Sequence, residues 1–309
     1  MQNMQIMLKF LYLENFCGYE DTILDFTDGN NGVNAFNVFF GENGVGKTTV
    51  MKAMEILGNA SRYENRDLTT LFRKLVHSED YDPSYQLLKE DKKVQTAPPA
   101  KKMLIHGVFA TTSGDKEVVV NNHQVLKNEL PSQNCGHTYR MDADHPSNRQ
   151  KFQVANDHYA DKFLEIARAV YGFDCEFDKL TTHITDHKTQ ENRMDFFTDF
   201  VIIKSRNNKN IRVHFKSMSD GETKVAKMLE LLSDARYMDN VNIILVDNIE
   251  MHIYYKRHAK LVDSLLRVFP GKQFITTTHS GYLIDHIRNN YNNKWLFDLE
   301  EIHNIKKKY

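Results

Sequence analysis

Residues 41–48 read GENGVGKT, a GxxxxGK[ST] pattern set between a short apolar run, Ala35 to Phe40, and a stretch with apolar residues at helical spacing. Gly41, Glu42, Asn43, Gly44 and Gly46 form a loop whose backbone N–H groups can curl around a phosphate. Lys47 can reach β- and γ-phosphates. The Thr48 hydroxyl, followed by Thr49, can ligate Mg²⁺, and the helix N-terminus adds its partial positive charge. Such a loop needs a second, acidic metal ligand. The apolar run Val241 to Val246 delivers Asp247 at its carboxyl end, where ligands gather in open α/β sheets, so Asp247 is assigned as the Walker B aspartate that holds Mg²⁺. Two more pieces follow in order: SMSDGE over Ser217 to Glu222 opens a helix, and QFITTTHS over Gln273 to Ser280 is a strand that ends at His279.

Other clusters of reactive side chains are weaker. His183 and His187 stand four apart with Asp186 between them, but TTHITDHKT is polar and reads as a surface loop. Cys135, His137 and His145 lack the fourth ligand of a zinc site. The lysines at 89, 92, 93, 101, 102 and 306–308 read as a solvated face.

The elements that must position the loop are legible from pattern. Residues 7–13 and 19–26 read as a hairpin turning at Gly18, ahead of the buried strand Ala35 to Phe40. Val50, Ala53, Met54 and Leu57 recur on one helical face, with Gly58 placed to end it. Residues 59 to about 100 are polar and punctuated by Pro83, Pro98 and Pro99. Hairpins are predicted over Met103–Asn121 and Phe200–Phe215, and the stripe Phe152, Tyr159, Phe163, Ile166 and Val170 marks a core-facing helix ending at Gly172. Strands then alternate with helices to a last strand near Trp295, the signature of a mostly parallel sheet covered on both faces.

The composition bounds the partners. With 40 Lys+Arg against 41 Asp+Glu the chain carries a formal charge of −1, so any nucleic-acid contact must be a local patch. Three dispersed cysteines, Cys17, Cys135 and Cys175, argue against a disulfide framework and for a reducing cytoplasm. No stretch approaches the roughly 20 apolar residues that span a bilayer, so no membrane partner is expected.

In this order the motifs resemble the ATP-binding-cassette ATPases. FLYLENFCGYEDTILDF followed by NVFFGENGVGKTTVMKAMEIL is similar to the opening of the RecF/SMC/OLD group; ILVDNIEMHIY and QFITTTHSGYLI are similar to that group's later motifs. The resemblance implies an α/β P-loop head with a mostly parallel core sheet, an antiparallel N-terminal β-region and an inserted helical lobe. The expected division is 1–58 with 198–309 as head and 59–197 as lobe. It implies ATP and Mg²⁺ sandwiched between two heads, homo- or heteromeric. Lys47 and Thr48 of one would face Ser219, Gly221 and Glu222 of the other, and His279 would contact the γ-phosphate.

The departures are informative. The family's catalytic glutamate follows the Walker B aspartate, and here that position is Asn248; an amide can orient water but cannot act as a base near neutral pH. Glu250 matches the family's second acidic residue, so the candidate catalytic set is Asn248, Glu250 and His279. Met218 replaces the leucine before the signature serine, and Gly281 the proline after His279 and Ser280. Gln86, Gln95 and Gln124 all remain open as the glutamine loop.

The stretch between the head halves has no sustained heptads, which argues against a long-armed SMC protein, and only 30 residues follow His279, so a nuclease or other effector is expected on another chain. The expected function is a slow ATPase switch of a DNA-repair or anti-phage defence complex, controlling DNA contact or a separate effector protein. The alternative is a nearly hydrolysis-silent, ATP-sensing scaffold that holds a partner protein. Both readings place the protein in the cytoplasm.

Overall fold

The computed structural model describes residues 5–30, 32–60, 102–121, 124–130, 138–142, 157–185, 192–207, 209–233, 238 and 241–306. Three sheets organise them. The first is antiparallel. Strands β1 (Ile6–Phe16) and β2 (Tyr19–Asp25) form the expected hairpin, with Phe16 opposite Tyr19, and β4 (Leu104–Thr111), β5 (Gly114–Asn121) and β6 (Gln124–Asn128) extend it in the order β2-β1-β4-β5-β6.

The second sheet is parallel in every pairing. Its order is β13-β3-β12-β11-β7, with β3 Phe36–Phe40, β7 Thr138–Asp142, β11 Ile243–Asp247, β12 Gln273–Thr277 and β13 Leu296–Asp298. All five residues of β11 are buried because each face of the strand meets a different core. Ile243 and Leu245 pack in the cluster that contains Val50, Met51, Met54 and Leu57 of helix α1 (Lys47–Asn59). Ile244 and Val246 join Phe163, Val225, Leu229, Leu261 and Leu265, from helices α2 (Asp157–Tyr171), α3 (Asp220–Ser233) and α4 (His258–Val268). Period-two alternation in a strand so apolar therefore sorts side chains between two layers rather than between core and water.

Helix α1 lies between the two large sheets, and the approach is close. A Cβ at Gly107 would fall 2.7 Å from Leu57 Cδ1, so β4 crosses the end of α1 closely enough that a side chain there would have to displace Leu57. Gly58 does not terminate α1, which runs through it to Asn59. Helix α5 (Gly281–Asn290) follows β12, and α6 (Leu299–Lys306) follows β13.

Within 59–197, the span assigned to an inserted lobe, β4 to β6 hydrogen-bond into the sheet of β1, and β7 pairs with β11. Helix α2 packs through Phe163, Ile166, Ala167 and Val170 into the core of the parallel sheet. What stays apart is a third sheet, β10-β9-β8, with β8 Asp174–Thr185, β9 Asn192–Arg206 and β10 Lys209–His214. Its β9–β10 part is the hairpin expected near residue 208, while the long β8–β9 pairing runs from Asp174↔Ile203 to Thr185↔Asn192. His183 thus lies in a strand; Asp186, His187, Cys135, His137, His145, Gln86 and Gln95 lie outside the described residues. Among the described residues, no helix is long and apolar enough to cross a membrane.

Candidate functional site

A parallel sheet brings the carboxyl ends of its strands to one edge, so Gly41 after β3, Asp247 ending β11 and Thr278 after β12 become neighbours. Two backbone bonds tie that edge together: the Ile249 N–H donates to Thr277 O at 3.2 Å, and the Thr278 N–H donates to Phe39 O at 3.0 Å. The cleft above it has a volume of about 280 Å³ and is lined by Asn43, Gly44, Gly46, Lys47, Thr48, Thr49, Asp247, Asn248 and His279. Every one of these residues stands in the set expected from sequence.

The loop curls because three of its residues take left-handed backbone: Gly41, Gly44 and Gly46, with φ of 135°, 82° and 97°. Gly46 is constrained twice over. Its carbonyl accepts a hydrogen bond from the Tyr19 hydroxyl at 3.1 Å, and a Cβ on it would fall 2.7 Å from that same oxygen. The Lys47 ammonium, buried to 7% exposure, donates to the carbonyls of Gly41 and Glu42, each at 2.8 Å. Burial pushes its pKa below the ordinary lysine value, opposed by the carboxylates of Asp247, Glu300 and Glu250.

Asp247, 6% exposed, accepts from the Thr48 hydroxyl at 3.0 Å on one oxygen and from the Thr277 hydroxyl at 2.5 Å on the other. The carboxylate is therefore aimed from both sides. A hydroxyl and a carboxylate side by side at the floor of a phosphate-sized cleft are the hard oxygen donors that suit Mg²⁺, which keeps its remaining positions for waters and phosphate. Among the described residues, no group of three or more His, Cys, Asp or Glu side chains forms a metal cage, so any divalent ion here depends on the phosphates as well.

Asn248 sits at φ 52°, in the left-handed region that asparagine tolerates better than most residues. Its N–H donates to Thr277 Oγ1 at 2.8 Å. Thr277 thus holds both Asp247 and Asn248. Glu250 is not in the cleft lining. Its Oε1 accepts from the His279 backbone N–H at 2.7 Å, and its Oε2 is buried without a hydrogen-bond partner among the described residues. His279 is exposed and lines the cleft.

The SMSDGE segment is elsewhere. Ser219 and Glu222 form a capping box at the start of α3: Ser219 N–H and hydroxyl donate to Glu222 Oε2 at 3.1 and 3.0 Å, and Glu222 N–H donates back to Ser219 Oγ at 3.4 Å. Lys204 donates to the other Glu222 oxygen at 2.6 Å. Burial raises the Glu222 pKa, but the bonds from Lys204 and Ser219 outweigh it and leave it below the ordinary glutamate value. Glu222 is thereby committed within its own chain, and neither Ser219 nor Gly221 lines this chain's cleft. Gln124 lies in β6 and is absent from the cleft too.

Three residues of the site were not expected. Thr277 had a signal, the run Thr276 to Thr278 at a strand end. Tyr19 and Glu300 had none: Tyr19 comes from the first hairpin, and Glu300, on α6, accepts from the Glu42 N–H at 2.6 Å and pins the start of the loop.

No curated protein matches the sequence. Among solved structures, an SMC head bound to the C-winged helix domain of ScpA matches at 12% identity over 91% of each chain, with a TM-score of 0.53. An SMC head domain from Thermotoga maritima matches at 13% identity over 90% of this chain and 91% of that one, TM-score 0.50. An Smc head domain with an extended coiled coil, derived from Pyrococcus furiosus and bound to the C-terminal domain of ScpA, matches at 10% identity over 98% and 99%, TM-score 0.52. At such identities the likeness is one of fold: this is an SMC-head-like P-loop fold. In sequence, residues 7–238, from β1 through the P-loop to beyond α3, match the AAA ATPase domain. That is more than half of the chain, which therefore belongs to the AAA ATPase domain family and is an ATP-binding ATPase.

Proposed function

We propose that the protein is a slow ATP-driven switch whose heads associate by sandwiching ATP, and that the associated state controls DNA contact or a separate effector, such as a nuclease, in a DNA-repair or anti-phage defence complex. The observation that carries the reading is Asn248: an amide, not a carboxylate, stands in the cleft lining beside Asp247. Lys47 leaves its two loop carbonyls for the β- and γ-phosphates. Thr48 and Asp247 are the residues that would hold Mg²⁺, which when bound offsets the charge of the phosphate oxygens. Asn248 orients the attacking water but takes no proton from it, and His279 faces the γ-phosphate.

The lining of the cleft is the phosphate loop with Asp247, Asn248 and His279, and we assign the remaining nucleotide contacts to another surface. Ser219 at the exposed start of α3 is the group we assign to it, from a second head, homo- or heteromeric. We assign residues 104–142 to the head with the two terminal segments, and the sheet of β8 to β10 to the accessory unit. The second reading, a nearly silent ATP-sensing scaffold, draws on the same Asn248.

Sedimentation with and without ATP and Mg²⁺, paired with single-turnover hydrolysis, tests the proposal. ATP-dependent association with turnover well below that of carboxylate-bearing ATPases supports the switch. No association, in a preparation that binds ATP and loses that binding in Lys47→Ala, overturns it.

A further inference from the structure

Away from the cleft lining, three exposed tyrosines form a continuous cluster of tilted rings, with interplanar angles of 58° between Tyr254 and Tyr255 and 35° between Tyr255 and Tyr282. Tyr254 and Tyr255 precede α4, at the end of the loop that leaves β11, and Tyr282 lies on the first turn of α5. Ring centroids are 4.7 Å apart for Tyr254 and Tyr255 and 4.5 Å for Tyr255 and Tyr282. Tyr255, in the middle, is 38% exposed, and Tyr254 and Tyr282 are 59% and 62% exposed, although aromatic side chains gain most from burial.

The two elements that carry the tyrosines are locked to each other. His258 Nε2 lies 2.9 Å from the Ile253 carbonyl, which can only accept, so Nε2 carries the proton. In neutral His258 the other nitrogen, Nδ1, then accepts from the Ser280 hydroxyl at 2.6 Å. Ser280 Oγ in turn accepts from the Leu283 N–H at 3.2 Å as the cap of α5. This bonding fixes the start of α5 against the start of α4, and with it Tyr282 against Tyr255. A rigid platform has little ordering entropy left to lose on binding.

The surroundings are cationic. Residues 252–260 read HIYYKRHAK, with no acidic residue. Lys256 Nζ lies 5.8 Å from the Tyr255 centroid, and Lys260 is exposed one helical turn further on. The acidic residue on the next turn of α5, Asp285, is engaged by Arg288 at 3.4 Å. Aromatic faces flanked by lysines are the combination that binds single-stranded nucleic acid, with bases stacked on rings and backbone phosphates met by charge. A duplex, whose bases are already stacked, cannot use it.

We propose that Tyr254, Tyr255 and Tyr282, with Lys256 and Lys260, form a binding platform for single-stranded nucleic acid. Bases stack on the two outer rings and the lysines meet the phosphates.

The test is fluorescence anisotropy of a labelled oligothymidylate with the full chain, without nucleotide, over a range of salt. The wild type binds, and an unlabelled duplex competes poorly. Tyr254→Ala/Tyr282→Ala binds at least about 30-fold more weakly, as two lost stacking contacts imply, with ATP binding and melting temperature unchanged. Tyr254→Phe/Tyr282→Phe keeps the rings and stays within about 3-fold of the wild type, on the same stacking argument. Lys256→Gln/Lys260→Gln lowers the slope of log affinity against log salt by roughly 1.4, about 0.7 per phosphate contact. The proposal is overturned if the wild type does not bind the oligonucleotide or if the alanine variant binds as well as the wild type. Loss of self-association in the alanine variant with oligonucleotide binding intact also overturns it, since the tyrosines would then be a protein contact.

Discussion

Replacing Asn248 by glutamate changes two quantities in opposite directions. General-base catalysis by a positioned group is worth about 10² to 10⁴-fold, or roughly 3 to 5 kcal/mol of barrier, and residue 248 is in the cleft lining where such a group must stand. Asn248→Glu is therefore expected to raise single-turnover hydrolysis within that range. The same substitution destabilises the fold. Residue 248 is at φ 52°, and its N–H is held by Thr277 Oγ1 at 2.8 Å, so the backbone cannot relax to a conformation glutamate prefers. Left-handed backbone costs most L-residues about 1–2 kcal/mol, which at about 2–4 °C per kcal/mol predicts a fall of a few degrees in Tm. A faster and less stable enzyme is the expected result.

Glu250 is the competitor for the role of base. One of its oxygens is committed to the His279 N–H at 2.7 Å, and a glutamine there still offers an oxygen to that bond. Glu250→Gln should then change the rate less than about 10-fold, well short of a lost general base. Quenched-flow hydrolysis under single-turnover conditions measures both variants. A large loss in Glu250→Gln together with no gain in Asn248→Glu, in proteins that still bind ATP, refutes the assignment.

Ser219→Arg removes the capping box of α3, a loss of about 1 kcal/mol, and should leave ATP binding by the single head while abolishing ATP-dependent association; an unchanged sedimentation profile in ATP counts against the sandwich. Gly46→Ala combines left-handed strain with a Cβ 2.7 Å from the buried Tyr19 hydroxyl, so a loss of about 2–5 kcal/mol is expected from strain and overpacking. Adding Tyr19→Phe should restore part of it, and a single variant that melts with the wild type contradicts the geometry. Glu300→Ala frees the Glu42 N–H and should raise KM for ATP with little change in kcat; equal effects on both would place Glu300 in the chemistry instead. Burial, helped by Asp174 and opposed by Arg168, pushes the Cys175 thiol up to about 12, and burial with the Asp263 bond pushes the Tyr291 phenol up to about 12. Both groups hold their protons more tightly folded than unfolded, so their stabilisation is complete below about pH 9 and is lost as the pH rises toward 12. Urea midpoints should fall over that window, with a shallower first step in Cys175→Ala, and a flat profile to pH 11 would exclude the effect.

What sequence could and could not reveal divides along one physical line. The P-loop, Asp247 and the strands β3, β11 and β12 were legible because each is encoded locally, by a glycine pattern or by apolar runs of the right length. Phe163, Ile166 and Val170 on α2 and the β9–β10 hairpin were legible for the same reason, while Phe152 of the predicted stripe lies outside the described residues. Partner choice between strands was not. Alternation over Met103–Asn121 says that a hairpin exists, but Leu104–Thr111 pairs with β1, and Thr138–Asp142 with β11, through backbone groups that any sequence possesses. A boundary at 59 and 197, drawn from the resemblance of the two chain ends, is crossed by the β4–β1 and β7–β11 pairings, which the motifs at those ends do not encode.

The same distinction runs through the site itself. Thr48 was legible because the motif carries it, although its bond to Asp247 spans 199 positions. Glu300 reaches the same loop across 258 positions with no motif of its own, and nothing in LEEIHNIK marks that glutamate over the next one. The register of β13 on β3, which sets Asp298 opposite Phe40 and so brings α6 over Gly41, is what selects it. A motif can name the groups that touch phosphate; the groups that hold the motif in shape are chosen by topology, and become visible only once the strand order is known.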